Sequence, residues 1–242
     1  MAITRSPLLT IGCAALFALA MPLSACGGQT HPASASTTSS PTAPSAPPSG
    51  APSTLPYQLH MDFFSHESNQ PAVIDPQMFV SSPGTPAGTG PQNISHAADV
   101  TPAPKTDPPE TTLLAADGTP LGITLGQWES AAGTVSLTCD GSQDTAAHEL
   151  RGLIPGGLYS VFVVHLNIQG SGRFTPFGDP AGTANNFTAS ADGTASPTTT
   201  VNGCLTNQEA VVIIWHSDHQ AHGASAGTIG VDWHNALITR VT

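Results

Sequence analysis

Between Thr111 and Thr242 the chain alternates short runs of β-branched and apolar residues with turn residues. Asp117-Gly118 is a typical two-residue hairpin turn, and Pro155-Gly156-Gly157 fits a tight turn in which proline presets φ and glycine accepts positive φ. The longest run, Tyr159 to Ile168, alternates an apolar face with one that becomes polar toward its end. No segment shows a sustained helical period. The pattern predicts an all-β fold, an antiparallel β-sandwich of Greek-key type that follows a disordered tether.

Nine or ten strands are expected in this predicted sandwich, residues 111–242. Besides Tyr159–Ile168, they are Thr111–Ala115, Leu121–Trp128, Gly133–Thr138, Ala146–Leu153, Asn186–Ala191, Ala195–Val201, Glu209–His216, Thr228–Trp233 and Ala236–Val241.

The N-terminus resembles the export signal of bacterial lipoproteins. Arg5 precedes an apolar run from Leu8 to Met21, and Leu23-Ser24-Ala25-Cys26 is similar to the lipobox of that family. The resemblance implies that residues 1–25 are a signal peptide, that diacylglycerol is attached to Cys26, and that the mature chain is held at the extracytoplasmic face of a cell membrane. The alternative is an ordinary signal peptide. A membrane-spanning helix is disfavoured because the run is shorter than the ~20 residues that a bilayer requires.

Two stretches between the signal and residue 111 are poor in apolar residues. Residues 26–56 are almost wholly Gly, Pro, Ser, Thr and Ala, a composition that predicts a disordered, flexible tether. Residues 57–110 are also rich in proline, and we expect them to be extended and partly ordered. One strand, Tyr57 to Phe63, is expected to dock on the sandwich.

Basic residues are scarce: Lys and Arg number 5 against 16 Asp and Glu, which gives a formal net charge of −11. The sequence has no basic cluster, which argues against nucleic-acid binding and against a polybasic attraction to anionic lipid. A lipid on Cys26 is therefore the expected membrane anchor. A further ligand or an envelope protein partner is not identified by the sequence.

Cys139 and Cys204 are the two cysteines of the predicted sandwich. An exported chain matures in an oxidising compartment, where such a pair favours a disulfide. A Cys/His metal site is the alternative, but neither cysteine has a second ligand at the spacing of a zinc finger. We therefore expect a Cys139–Cys204 disulfide.

The segment from Gly152 to Tyr159 resembles the strand–turn–strand corner of fibronectin-type sandwich modules and, distantly, a corner of copper/zinc superoxide dismutases. The dismutase pattern has two histidines one residue apart on the strand after this turn. This chain has only His165 there, with Val163 in the partner position. The resemblance implies a β-sandwich and gives little support to dismutase activity.

Histidines are concentrated near the C-terminus: of the 10 in the chain, four lie between His216 and His234. If the strand from Glu209 continues, His216 and Asp218 share one face, and the following loop allows His222 to fold back. Asp232 shares a face of the next predicted strand with His234, and we expect it to be a further ligand or an orienting carboxylate.

Imidazole is the commonest protein ligand of zinc and copper, and carboxylates also bind these metals. We therefore expect a copper or zinc site drawn from His165, His216, Asp218, His222 and His234. Three alternatives remain open: histidines with a purely structural role, a metal-free catalytic site, and a pH sensor made of imidazoles that repel each other when charged.

Two functions follow from these observations. The first is a membrane-anchored, extracytoplasmic binding module of the cell envelope. The second is a copper- or zinc-binding metalloprotein, which would be redox-active with copper. The sequence has no His-Glu-x-x-His zinc motif, and whether the chain is an enzyme stays open.

Overall fold

The computed structural model describes residue 50, residues 52–167 and residues 173–242. The predicted signal peptide, the lipid attachment predicted at Cys26 and most of the predicted tether lie outside the described residues.

Within the described residues the chain forms sixteen strands, paired antiparallel, and two short α-helices, α1 (His60–Glu67) and α2 (Leu125–Glu129). The all-β prediction is confirmed. The strands are β1 (Ser53–Pro56), β2 (Gln58–Leu59), β3 (Ile74–Ser81), β4 (Gly88–Thr89), β5 (Ser95–His96), β6 (Val100–Pro104), β7 (Thr112–Leu114), β8 (Pro120–Thr124), β9 (Ala132–Cys139), β10 (Gln143–Arg151), β11 (Leu158–His165), β12 (Phe174–Pro176), β13 (Asn186–Thr188), β14 (Thr198–Asn202), β15 (Glu209–His216) and β16 (Trp233–Arg240).

Two antiparallel sheets enclose the main core, as expected for a sandwich. One has the strand order β1-β9-β10-β14 and the other the order β12-β11-β15-β16-β2, with β13 also paired to β11. Alternate side chains of both sheets, such as Val135, Val161 and Ile213, are buried together between them. The chain passes from the first sheet to the second between β10 and β11, returns to the first between β13 and β14, and passes to the second again between β14 and β15.

A third sheet is built largely from residues 57–110, whose sequence predicts an extended and only partly ordered segment. Its strand order is β6-β3-β7-β8, and Met78 and Ala103 are buried in the main core. β1, which lies in the range assigned to the tether, pairs with β9 and buries Leu55. The described fold therefore begins well before the predicted sandwich.

Two of the expected strands give way to helices. The strand expected over residues 57–63 ends after β2, and α1 buries Phe63 against the six-stranded sheet. The strand expected over residues 121–128 ends at Thr124. The side chains of Thr124 and Gln127 each accept a hydrogen bond from the other's backbone N–H, a capping box that begins α2. This local capping outweighs the β-propensity of the segment.

Cys139 and Cys204 form the predicted disulfide, with their Cα atoms 5.5 Å apart. It joins the end of β9 to the segment after β14, and the two cysteines are 65 residues apart in the sequence. A cross-link across a loop of that length contributes on the order of 4 kcal/mol to stability in the chain-entropy view. Neither thiol is therefore free to bind a metal.

Asp75 is a buried carboxyl group that connects the third sheet to α2. It accepts hydrogen bonds from the indole N–H of Trp128 at 2.7 Å and from the backbone N–H groups of Gln77 and Met78 at 2.9 and 3.1 Å. Burial raises the pKa of Asp75 to about 6. Its contribution to stability is therefore present at low pH and is lost as the pH rises through 6.

His148 is a buried imidazole of β10 whose contribution to stability has the opposite pH dependence to that of Asp75. The Tyr57 hydroxyl lies 2.9 Å from Nδ1, and Oγ1 of Thr199 lies 3.4 Å from Nε2. Burial lowers the pKa of His148 from 6.5 to about 4. Because the unfolded chain binds this proton more readily, the stability that the neutral ring contributes is present above pH 6.5 and is lost as the pH falls toward 4.

We predict that between pH 8 and pH 5 the free energy of unfolding falls by about 2 kcal/mol more in the wild-type chain than in His148→Asn. Chemical denaturation at the two pH values measures the difference, in which the contributions of Asp75 and the other buried groups cancel. His66→Asn is the control, because the side chain of His66 is 87% exposed. Equal pH dependence in His148→Asn and the wild type would contradict the prediction.

Candidate metal centre

The loop from Ser217 to Asp232 connects β15 to β16 at one end of the six-stranded sheet. The two strands are paired up to His216 and Trp233, and the N–H of Ser217 donates to the carbonyl of Asp232 at 3.1 Å. A 3₁₀ turn, Gly223–Ser225, lies near the middle of the loop. The two halves of the loop meet beyond the strand ends.

Asp218, His222 and Asp232 come together in this loop, and we refer to these three residues as the metal cluster. One ligand atom of each lies within 4.8 Å of the other two. Nε2 of His222 is 2.9 Å from Oδ2 of Asp218 and 3.9 Å from Oδ1 of Asp232. The side chains of Asp218, His222 and Asp232 are 29, 26 and 20% exposed, so a solvated ion can reach them.

Backbone groups of the same loop orient both carboxylates of the metal cluster. Oδ1 of Asp218 accepts a hydrogen bond from the N–H of Gln220 at 3.0 Å. Oδ1 of Asp232 accepts one from the N–H of Thr228 at 2.5 Å. The other oxygen of Asp218, Oδ2, is the one that contacts Nε2 of His222.

Two positions around the metal cluster, Gly227 and Gly182, have no room for a side chain because neighbouring atoms lie too close to the backbone. A Cβ at Gly227, where φ is +104°, would lie 2.1 Å from Oδ1 of Asp232 and 3.0 Å from Cδ2 of His222. A Cβ at Gly182 would lie 2.5 Å from the carbonyl carbon of Gly223. The loop therefore packs closely on the segment between β12 and β13.

His216, the last residue of β15, lies beside the metal cluster. Its ring is fully buried, and its centroid is 5.8 Å from that of His222. Nε2 is 2.6 Å from Oγ of Ser160, whereas Nδ1 has no hydrogen-bond partner among the described residues. Burial, aided by His222, lowers the pKa of His216 to about 4 against the opposing effect of Asp218 and Asp232. The ring is therefore neutral at pH 7.

His234 is placed differently from the sequence expectation. Nδ1 is 3.1 Å from the carbonyl oxygen of Gln77, and Nε2 is 3.2 Å from both Oγ of Ser217 and the carbonyl oxygen of Val231. The ring is buried, which lowers the pKa of His234 to about 4. Both nitrogens face protein groups, so His234 joins β16 to β3 instead of completing the metal cluster.

His165 lies at the opposite end of β11 from the metal cluster. The antiparallel register pairs His165 with Glu209 and Leu158 with His216, so seven residues, roughly 23 Å of strand, separate His165 from the site. Its Nε2 is 3.0 Å from Oγ1 of Thr175, and its Nδ1 is 3.5 Å from Oε1 of Glu209. The expected convergence of His165 with the other histidines does not occur.

Asp232 is the cluster residue whose role the sequence left unsettled. The expected strand from Thr228 places Asp232 and His234 on one face, but β16 begins only at Trp233. Asp232 therefore ends the loop, where its hydrogen bond to Thr228 orients it. Gly230 is the sequence signal against a strand over 228–233, since a glycine inside a strand pattern is typical of a bulge or a break in the strand.

Ser225 lies in a Gly-x-Ser-x-Gly sequence, Gly223 to Gly227, which is the pattern of a hydrolase nucleophile elbow. That elbow requires a strand, a sharp turn and a helix, whereas this segment is a 3₁₀ turn within a loop. Oγ of Ser225 donates to the backbone carbonyl of His222 at 2.9 Å. Ser225 therefore stabilises the loop and is not positioned as a nucleophile.

A groove of about 280 Å³ borders the metal cluster. One side belongs to the β15–β16 loop and the other to the turn between β7 and β8. The groove is lined by Asp117, Thr119, Pro120, Leu121, Ser217, Asp218, Val231 and Asp232. The metal cluster thus opens onto an acidic concavity.

No protein-family model matches the chain, and no curated protein is significantly similar to it in sequence. Among the described residues, no helix has the length and apolar character needed to cross a membrane.

Proposed function

We propose that the chain is a membrane-anchored, extracytoplasmic protein whose β-sandwich binds a zinc or copper(II) ion at the metal cluster. The observation that carries this proposal is the convergence of Asp218, His222 and Asp232 within 4.8 Å. Imidazole and carboxylate are ligands of both metals in proteins. The metal cluster contains no thiolate, which is the ligand that selects copper(I).

The charges near the metal cluster favour a cation. The basic residues of the described ranges lie outside the loop from Ser217 to Asp232, and two of them are paired with carboxylates, Lys105 with Asp62 and Arg240 with Glu67. The four Lys and Arg residues of the described ranges are Lys105, Arg151, Arg173 and Arg240. Two neighbouring carboxylates repel each other, and a bound cation relieves that repulsion.

The same contacts have a structural alternative that needs no metal. Asp218 and His222 have the spacing of an ordinary i, i+4 ion pair, and both carboxylates already stabilise turns of the loop. A metal site differs from this alternative because it takes up one ion per chain in a saturable manner.

We predict that residues 27–242, exported without a polyhistidine tag, retain one zinc or copper ion per chain after dialysis, as measured by elemental analysis. This form keeps every residue that the structure describes. In calorimetric titration with zinc sulfate, His222→Gln is expected to weaken binding by at least about tenfold, because it removes the imidazole between the two carboxylates.

His219→Asn is the matched control for this experiment. His219 is an exposed histidine of the same loop with φ of 59°, a conformation that asparagine tolerates. It is expected to leave zinc affinity unchanged. The proposed metal site would be refuted if the wild type fails to retain metal or if His222→Gln binds zinc with the same affinity as the wild type.

The membrane anchor is proposed from the lipobox resemblance of Leu23-Ser24-Ala25-Cys26. The residues after Cys26 have the composition of a flexible tether, which would give the domain a typical reach of ~30 Å from the lipid surface. Such a site would sample the solution next to the membrane.

We predict that the full chain incorporates labelled palmitate in a bacterial host and that Cys26→Ser abolishes the labelling, since the thioether requires the thiol of that residue. Cys13→Ser, within the apolar run of the signal, serves as the control and retains the label. Palmitate labelling that persists in Cys26→Ser, or a wild-type chain without label, would rule out the anchor.

A further inference from the structure

A buried chain of hydrogen bonds lies behind the metal cluster. Oγ of Ser160 is 2.6 Å from Nε2 of His216 and 2.6 Å from Oδ1 of Asn186. Nδ2 of Asn186 donates to the carbonyl of Gly182 at 3.3 Å. Ser160 lies on β11, which pairs with β13 on one side and with β15 on the other. The three side chains are thus held by hydrogen-bonded strands.

The donors and acceptors of this chain assign the proton on His216. Because Asn186 uses its amide nitrogen toward Gly182, the atom facing Ser160 is Oδ1, which can only accept. The single hydroxyl proton of Ser160 is therefore donated to Asn186. Ser160 can then only accept from His216, so His216 carries its proton on Nε2.

Nδ1 of His216 is left with a lone pair and no donor. The ring is fully buried, and Nδ1 has no hydrogen-bond partner among the described residues. A buried acceptor without a partner lowers stability, whereas a metal ion would satisfy it. Histidines that bind metals characteristically donate their other N–H to a fixed acceptor, which is the role of Ser160 here.

We propose, building on the proposed function, that His216 is a fourth ligand of the metal centre through Nδ1 and that Ser160 and Asn186 are positioning residues that keep its proton on Nε2. The ring of His216 already lies beside that of His222, with 5.8 Å between their centroids. With His216 the site has two imidazoles and two carboxylates, and four ligands are the number that zinc adopts in closed protein sites.

Long-range ¹H–¹⁵N NMR of the metal-free chain tests the proton assignment independently of metal binding. The expected spectrum shows a protonated Nε2 and an unprotonated Nδ1 for His216. Asn186→Ala frees the hydroxyl of Ser160 to donate to Nε2, so this variant is expected to gain population of the tautomer protonated on Nδ1. A wild-type His216 protonated on Nδ1 would overturn the positioning role.

Zinc titration tests ligation by His216. Ser160→Ala removes the acceptor of the Nε2 proton and is expected to weaken zinc binding on the order of 10–100-fold. Thr175→Val is the matched control, because it removes a hydroxyl that contacts the imidazole of His165 at the other end of β11. It is expected to leave zinc affinity unchanged.

The two proposals fail in different ways. If the wild type binds zinc and Ser160→Ala binds it equally well, the role of His216 and Ser160 is refuted while the metal cluster stands. If the wild type does not bind zinc at all, the proposed function fails together with ligation by His216, and the NMR assignment still decides whether Ser160 and Asn186 set the tautomer.

Discussion

The antiparallel register of β11, β15 and β16 positions the groups of the proposed metal site. β15 is buried on both faces: Ile213 lies in the main core, and Ile214 lies in a second apolar cluster with Trp233. A shift of one residue would exchange the side chains that fill the two clusters, so close packing on both faces holds the register. The same register brings His216 to the sheet end and places Ser160 within hydrogen-bonding distance of it.

The loop that follows β15 adds the remaining groups to this rigid frame. Asp218 and Asp232 are oriented by backbone N–H groups of the loop, and Gly227 allows the chain to pass closely beside them. The proposed site therefore combines one imidazole held by the sheet with three side chains held by the loop. A bound ion would tie the loop to the sheet, so metal affinity and loop order are expected to change together.

The sequence predicts the parts of this structure that depend on local pattern. Strands such as β11 and β15 could be recognised because residue alternation is a property of each strand alone. The third sheet could not be recognised from local pattern, because the buried carboxyl group of Asp75 on β3 needs a hydrogen bond from Trp128, which lies 53 residues later in the sequence. Similarly, His216 and His222 are neighbours in sequence and could be grouped, whereas excluding His165 required knowing that β11 and β15 run in opposite directions.

We propose that the loop between β15 and β16 holds a metal through imidazole and carboxylate groups, and X-ray absorption spectroscopy of the zinc-loaded chain tests this proposal. We expect a four-coordinate zinc with nitrogen and oxygen ligands at about 2.0–2.1 Å and the outer-shell scattering of two imidazole rings. A shell of oxygen atoms alone, without imidazole scattering, would contradict it.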